Sequence, residues 1–212
     1  MNAAVPRADK QLSAVIRAAS QREHDAAERS PFFTELLGGG LGKQAYVAYL
    51  RRMQVVYAAL EESVRGRRQD PFVAAVYDPG LERRAAIDAD LLSWAGGAPE
   101  MLKSPAAESY QRRLQSIDDG AALVAHHYTR YLGDLSGGQI IGRTLDSVFQ
   151  LGGTGLEFYR FPNRPNLLKD RYRNRLDSLT PNTEQVDTLL REVKLAFQLN
   201  QALLDELASA YV

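Results

Sequence analysis

The sequence predicts an all-α fold in a single domain that spans residues 1–212. Apolar residues recur at spacings of three and four along most of the chain, which is the period of a helix with one buried face. Strict alternation of apolar and polar residues, the mark of a half-buried strand, is negligible. Prolines and glycines stand between the periodic segments, where they end one helix or begin the next. Together these observations predict a bundle of several helices.

Five helices are predicted in the first half of the chain. Residues 10–28 form the first, and Ser30-Pro31 is typical of an N-cap followed by proline in the first turn of the second. That short helix ends at the run of glycines at 38–40. The remaining three are predicted over 43–67, 81–94 and 105–117. Gly96-Gly97 is expected to end the fourth of these five helices.

Three longer segments are predicted to be helical in the second half, over residues 121–150, 165–178 and 182–210. The first of them contains several glycines and is broken by Gly152-Gly153-Thr154-Gly155. Residues 158–162 are aromatic and are predicted to be a short extended segment. The last segment carries apolar residues at spacings of three and four throughout.

Composition excludes several classes of protein. The absence of cysteine excludes disulfides, thiolate metal sites and thiol nucleophiles. The formal net charge of +0 argues against a general affinity for nucleic acid. Residues 1–10 lack the apolar core of a signal peptide, and no apolar run approaches the roughly 20 residues of a membrane span. We expect a cytoplasmic protein without a membrane anchor, and a disordered extension over residues 1–9.

Residues 128–143 are the stretch around which the rest is organised. They keep helical apolar spacing but include Gly133, Gly137, Gly138 and Gly142. Each glycine inside a helix costs roughly 1 kcal/mol relative to alanine, so something must offset the cost. Gly133 and Gly137 are four apart and leave one face bare, which admits a flat ligand or another backbone, and the Gly137-Gly138 pair predicts a kink. The alternative is two helices joined by a glycine turn, with no ligand.

Only three histidines are present, at positions 24, 126 and 127. Glu28 follows His24 by one helical turn, a spacing at which a carboxylate can orient a ligating imidazole. Arg17 lies two turns earlier on the same face. The alternative is a surface histidine in a charged helix end. His126 and His127 are adjacent on the long helix, so we expect at most one to turn inward and assign neither a role.

The sequence lacks the residues or the spacing that three other kinds of site require. A ferritin-like di-iron bundle needs Glu-x-x-His motifs, which no histidine here satisfies. A thiol enzyme lacks its cysteine. A zinc site with three histidines would need His126 and His127 to face one point, which adjacent residues on a helix cannot do. A single histidine ligand suits iron that a macrocycle already holds.

Two stretches of the sequence resemble a known family. Residues 20–28 (SQREHDAAE) together with residues 128–139 (YTRYLGDLSGGQ) are similar to heme oxygenase. Supporting similarity lies in 56–62, 158–162, 169–176 and 196–200. The resemblance covers about residues 10 to 207 and is specific. It implies a heme oxygenase-like helical bundle with a glycine-kinked distal helix over the heme.

The resemblance implies an oxidoreductase, a monooxygenase that opens the macrocycle of heme b at a meso carbon. Heme is both cofactor and substrate, dioxygen is the co-substrate, and the products are biliverdin, carbon monoxide and free iron. No flavin or nicotinamide motif is present, so electrons would come from a partner such as a ferredoxin or a flavoprotein reductase. Iron acquisition and biliverdin supply both remain open as the purpose. We expect a monomer.

The resemblance also implies a role for individual residues. His24 would be the axial ligand to the heme iron, with Glu28 as its partner. Gly133 and Gly137 would lie over the distal face of the heme, with Gly138 at the kink. Asp134 would anchor a distal network of waters. Tyr57 and Arg130 would belong to that network. The heme propionates would be held by Arg17, Tyr128, Lys169 and Arg173. The porphyrin would be packed by Phe33, Phe161 and Phe197.

Physical chemistry supports the cationic positions independently. Lys169 and Arg173 are four apart, so both cations point the same way, which is unfavourable in isolation and suits two carboxylates. The family usually has lysine where this chain has Arg17, and a forked guanidinium differs in geometry from an ammonium group. Two alternative functions remain: a heme-binding or trafficking protein that keeps the pocket without ring opening, and a helical interaction protein without a cofactor.

Overall fold

The computed structural model describes residues 11–95 and 103–212, except for the side chain of Glu28. The predicted extension over residues 1–9 and the predicted helix end at Gly96-Gly97 lie outside the described residues. The described chain is helical and contains no strand, as predicted. Its α-helices are α1 (Leu12–Ala19), α2 (Gln21–Glu28), α3 (Pro31–Leu37), α4 (Lys43–Gly66), α5 (Pro71–Val76), α6 (Arg84–Ala95), α7 (Pro105–Gln115), α8 (Gly120–Gly133), α9 (Gln139–Phe149), α10 (Pro165–Asp177) and α11 (Thr183–Tyr211).

The first predicted helix is two helices, because the chain leaves helical geometry at Ser20. That residue has φ −111° and ψ 10°, and its hydroxyl donates to the carbonyl of Ile16 at 2.9 Å. A side chain that competes for a backbone carbonyl in this way favours a helix end or bend. The break at Ser20 separates α1 from α2, and α2 carries His24.

Helix α6 begins three residues later than predicted. Leu81 instead lies in a 3₁₀ turn over Pro79–Leu81. The buried carboxylate of Glu61 on α4 accepts the backbone N–H groups of Arg83 and Arg84 at 2.6 and 2.9 Å. These contacts satisfy amides that the start of α6 leaves without helical partners. A residue on another helix therefore sets this boundary.

Helix α8 lies at the centre of the bundle. It packs against α11, α5 and α4, and nearly all of its residues are buried. His126 and His127 are both buried, so the expectation that at most one turns inward is wrong. His126 meets Glu192 on α11 at 3.2 Å and His127 meets the Tyr172 hydroxyl on α10 at 2.9 Å. Because other helices pack around α8, adjacent side chains that point in different directions can both be buried.

The long glycine-containing segment runs as α8, a π-helical turn over Asp134–Gly138, and α9. A π-turn widens the helix locally and such turns are frequent at functional sites. Gly142 allows close packing, since a Cβ there would come within 2.9 Å of the Tyr159 side chain. The segment predicted to be extended is instead a 3₁₀ turn over Glu157–Tyr159, followed by Arg160 in extended geometry. That turn packs on the glycine side of α9.

In the described residues, no helix combines the length and apolarity needed to cross a lipid bilayer.

Candidate functional site

A cleft lies between α2 on one side and the α8–π-turn segment on the other. It consists of two adjoining cavities of about 360 and 380 Å³. Both cavities are lined by His24, Thr129, Gly133 and Phe197, so they are two ends of one space. One end is polar and cationic, and the other is mainly apolar.

His24 faces the cleft from α2. About half of its side chain is exposed, and its Nδ1 lies 3.9 Å from Asp25 Oδ1. Phe197 on α11 meets the imidazole edge to face, with ring centroids 6.2 Å apart. An accessible imidazole that a neighbouring ring helps to orient can ligate a metal. The side chain of Glu28, the predicted partner of His24, lies outside the described part of the structure.

Gly133 and Gly137 form the opposite wall. A Cβ atom added at either would meet nothing within 4 Å, because both face open space in the cleft. Gly138 also lines the cavity but is buried, and its Cβ would touch the Tyr159 ring at 3.5 Å. The glycines therefore leave a bare helical surface across the cleft from His24. The kink at Gly137-Gly138 stays a prediction. The π-turn over Asp134–Gly138 includes both of these glycines.

The cationic end of the cleft brings together residues from three helices. Arg17 comes from α1, Tyr128 from α8, and Lys169 and Arg173 from α10. Arg173 approaches a carboxylate of Asp170 only at 3.7 Å. Burial raises the pKa of Tyr128, while Arg173 and Arg17 lower it. These four groups line one end of the cleft, and their charge suits an anionic ligand.

Behind the bare glycine wall lies a buried polar network, here called the distal network. The Tyr57 hydroxyl donates to Asp134 Oδ2. Arg130 Nε donates to the Tyr57 oxygen at 3.2 Å, and Arg130 Nη2 lies 3.5 Å from Asp134 Oδ1. Arg130 Nη1 donates to Asn200 Oδ1 at 2.6 Å. The network therefore ties α4, α8, the π-turn and α11 together.

Burial shapes the electrostatics of this network. It raises the pKa of Asp134 above the usual carboxyl range, although Arg130, the Tyr57 hydrogen bond and Arg83 oppose it. Burial also raises the pKa of Tyr57 well above that of a free phenol. Asp134 is 5% exposed yet lines the cavity. A carboxyl with a raised pKa at a cavity wall can hold and release a proton.

The other end of the cleft is mainly apolar. Its aliphatic and aromatic lining includes Phe33, Leu37, Ile140, Ile141 and Leu204. Phe33 and Phe197 both line this cavity. Phe161 lines neither cavity, and the Arg83 guanidinium lies 4.0 Å from its ring centroid. Phe161, which the resemblance placed against the porphyrin, therefore makes a cation–π contact with Arg83 and lies outside both cavities.

The sequence analysis assigned no role to several lining residues. Asn200 and Tyr49 line the apolar cavity, and so does Tyr159. Asn200 lies one turn after Phe197 on α11, and that spacing was the available signal for it. Tyr49 and Tyr159 carried no such signal, since buried aromatic residues at helical spacing most often belong to the core. Tyr57 itself lines neither cavity and acts from behind Asp134 and Arg130.

Comparison with known proteins gives a consistent result. The family model described as heme oxygenase matches residues 10–206. The chain is 32% identical over 211 residues to a protein named heme oxygenase from Rhodella violacea, across 96% of this chain and 90% of the relative.

Solved structures agree with these sequence matches. A heme oxygenase structure from Leptospira interrogans superposes with a TM-score of 0.88 at 34% identity, across 93% of this chain and 100% of that one. Heme oxygenase-1 from Synechocystis, solved in complex with heme, superposes with a TM-score of 0.89 at 29% identity. That match covers 95% of this chain and 94% of the other.

Proposed function

This chain belongs to the heme oxygenase family and is a heme-degrading oxidoreductase, and from that premise we propose how its residues hold heme and direct the reaction. The observation that carries the proposal is the placement of His24 opposite the bare wall of Gly133 and Gly137. A flat macrocycle fits between an imidazole ligand and a wall without side chains.

The residues of the cleft fit heme at each end. Two propionates suit the cationic end, where Arg17, Lys169 and Arg173 converge with Tyr128. The hydrocarbon edge suits the apolar end. We propose that His24 ligates the iron, that Glu28 orients His24, and that Phe33 and Phe197 pack on the porphyrin. Phe161 is left out, because it lines neither cavity.

Heme supplies the iron at which dioxygen is activated and the macrocycle that is opened. Gly133 and Gly137 leave room for a small ligand on the distal face and exclude side chains from it. Their backbone also restricts the directions in which such a ligand can lie. We propose that this restriction selects one meso edge of the macrocycle.

Asp134 provides the proton in this proposal. Tyr57 and Arg130 hold its carboxylate in one orientation, and Asn200 fixes the guanidinium from the other side. Because the pKa of Asp134 is raised, a larger fraction of its carboxyl group carries a proton at a given pH than in an exposed aspartate, and only the protonated form can donate. We propose that it acts through water in the cavity. A carrier that merely stored heme would have no need of this network.

An external protein supplies the electrons in our proposal, with a ferredoxin or a flavoprotein reductase as the candidates. The cationic end of the cleft offers a positive docking surface beside the proposed heme edge. Arg171 and Arg175 lie on the same helix as Lys169 and are exposed. We further propose that the protein works as a monomer in the cytoplasm.

The experiment that tests the function is an absorption spectrum of the protein with one equivalent of hemin. A reductant or a competent electron-donor system is then added in air. The proposal expects loss of the heme band, growth of a biliverdin band and release of carbon monoxide. A stable complex that only cycles between oxidised and reduced heme, with the donor shown to be competent, would contradict ring opening.

A further inference from the structure

Tyr49 on α4 lines the apolar cavity beside the distal network. It is 5% exposed, and Arg130 and Asp134 line the same cavity. Met53 and Tyr57 follow Tyr49 at intervals of four residues, so the three side chains share one face of α4. Met53 Sδ and the Tyr57 oxygen both accept hydrogen bonds from Arg130. Tyr49 therefore lies on the face of α4 that is turned towards the Arg130 guanidinium.

The guanidinium of Arg130 has more donors than its contacts within the distal network use. Its Nε donates to the Tyr57 oxygen at 3.2 Å, and Nη1 donates to Asn200 Oδ1 at 2.6 Å. Its Nη2 lies 3.5 Å from Met53 Sδ and 3.5 Å from Asp134 Oδ1. Because a guanidinium has five N–H donors, the donor that remains is the second one on Nη1. Arg130 is 7% exposed, and an unused donor on a buried charged group is costly.

The Tyr49 hydroxyl is placed to accept this remaining N–H group. Burial raises the pKa of Tyr49 to about 12. The charge of Arg130 and a hydrogen bond from its side chain act against this rise, and the charge of Asp134 adds to it. The hydroxyl therefore stays protonated at neutral pH, and its oxygen is a neutral acceptor for the guanidinium.

Aromatic neighbours fix the ring of Tyr49. The Phe33 ring meets it edge to face with centroids 5.1 Å apart, and the Tyr46 ring stacks on it with centroids 6.1 Å apart. The Phe32 ring stacks on it at 6.3 Å. A ring held on several sides keeps its hydroxyl in one place. Such a hydroxyl can restrain a long side chain such as arginine, which otherwise has many rotamers.

We propose that Tyr49 is a positioning residue of the distal network, whose hydroxyl accepts from Arg130 Nη1 and holds the guanidinium beside Asp134. Asn200 and Tyr57 accept from the same guanidinium, and Tyr49 adds an acceptor at the cavity wall. Burial raises the pKa of Asp134 and the charge of Arg130 opposes this, so the position of the guanidinium affects how readily the carboxyl group gives up its proton. This role of Tyr49 rests on the proposed function of Asp134 as the proton donor.

Urea unfolding of the heme-free protein tests the contact without any ligand. The variants are Tyr49→Phe, which keeps the ring, Arg130→Met, which removes every donor, and the double variant. If Tyr49 accepts from Arg130, Tyr49→Phe lowers the urea midpoint less in the Arg130→Met background than in the wild type. Equal losses in both backgrounds would overturn the contact. The matched control is Tyr172→Phe, which removes a hydroxyl paired with His127 at 2.9 Å and should cost the same in both backgrounds.

Single turnover of bound hemin tests the positioning role and needs no change at Arg130. Tyr49→Phe should form biliverdin about 3- to 10-fold more slowly, which corresponds to one hydrogen bond of ordinary strength, at unchanged affinity for hemin. An unchanged rate, or a loss of affinity in place of rate, would overturn the role. Asp134→Asn is measured in parallel. Full yield from Asp134→Asn would contradict the proposed proton donor, whereas an impaired Asp134→Asn beside an unimpaired Tyr49→Phe would overturn only the role of Tyr49.

Discussion

The two walls of the cleft are built very differently. The wall with His24 is a helix of eight residues whose imidazole is half exposed. The opposite wall is part of the central helix, and behind it Asp134, Tyr57 and Arg130 are buried and linked to one another. No described side chain of the His24 wall, here called the proximal wall, is buried, whereas the opposite wall, here called the distal wall, is backed by buried, hydrogen-bonded groups. We therefore expect the proximal wall to move more easily than the distal wall. A site of this kind can admit a large flat ligand on one side and keep fixed geometry on the other.

The largest effect should come from the distal network. In Asp134→Asn the side chain keeps its shape but cannot supply a proton, so biliverdin formation should fall by about 10²–10⁴-fold. Heme affinity should change little, since Asp134 is only 5% exposed at the cavity wall and is not among the residues to which we assign contacts with heme. The measurement is biliverdin yield per hemin under single turnover, with the heme spectrum of each variant as the binding control. Full biliverdin yield from Asp134→Asn would remove Asp134 from the mechanism.

A side chain at Gly133 should separate function from stability. In Gly133→Leu the new side chain enters the open cleft, so turnover should fall severely while the fold is retained. Stability should rise by up to about 1 kcal/mol, because leucine is a better helix former than glycine. The matched control is Gly142→Ala, whose Cβ would lie 2.9 Å from Tyr159; that variant should be destabilised. Normal turnover by Gly133→Leu would mean that the bare face is only structural.

The cationic end should affect binding more than chemistry. Each of Lys169→Gln and Arg173→Gln removes one charge-assisted contact that we assign to a propionate. Such contacts contribute about 1.5–3 kcal/mol, or roughly a 10- to 150-fold change in affinity, less where solvent screens them. Hemin titration followed by absorbance measures the affinity of each variant for heme. The control is Arg191→Gln, on an exposed face of α11. Unchanged affinity in both variants would place the propionates elsewhere.

Stability should distinguish the two walls without any ligand. Tyr57→Phe removes the donor to Asp134 and the acceptor for Arg130 inside the core, which should cost about 1–3 kcal/mol. His24→Ala removes a half-exposed side chain, which should change stability by no more than about 0.5 kcal/mol. Urea unfolding of the heme-free proteins compares them. Equal losses would contradict the contrast between a firm distal wall and a loosely held proximal one.

The sequence predicted the helices far better than their exact ends. Helical periodicity predicted α4, α10 and α11 almost to the residue because local patterns determine them. The start of α6 was wrong because Glu61, more than 20 positions earlier, caps it. The break at Ser20 was missed because serine in a helix is ambiguous without its carbonyl partner.

Sequence reasoning identified some residues of the candidate site and missed others. The resemblance implied that His24, Gly133 and Lys169 belong to one site, and the structure places all three around one cavity. Neither Tyr49 nor Tyr159 was given a part in it, since a buried tyrosine has the same sequence signature in a core and at a cavity wall. The burial of both adjacent histidines could not be predicted either, because it depends on α8 having neighbours on every side. Such facts belong to tertiary packing rather than to spacing.

The smallest predicted effect concerns the pH dependence of stability. Because burial raises the pKa of Asp134 in the folded state, the folded protein keeps a proton that the unfolded chain has already released. The stabilisation is present below the unfolded pKa and is lost as pH rises through the folded pKa. Asp134→Asn removes this loss, so the stability of the variant relative to wild type should increase from pH 4 to pH 7. Urea midpoints across that range measure it, and the contributions of Glu61 and Asp90, whose pKa values are also raised, cancel in the comparison. A difference that shrinks with rising pH would mean that Arg130 and Tyr57 outweigh burial and hold Asp134 ionised, which would leave the distal wall without its proton donor.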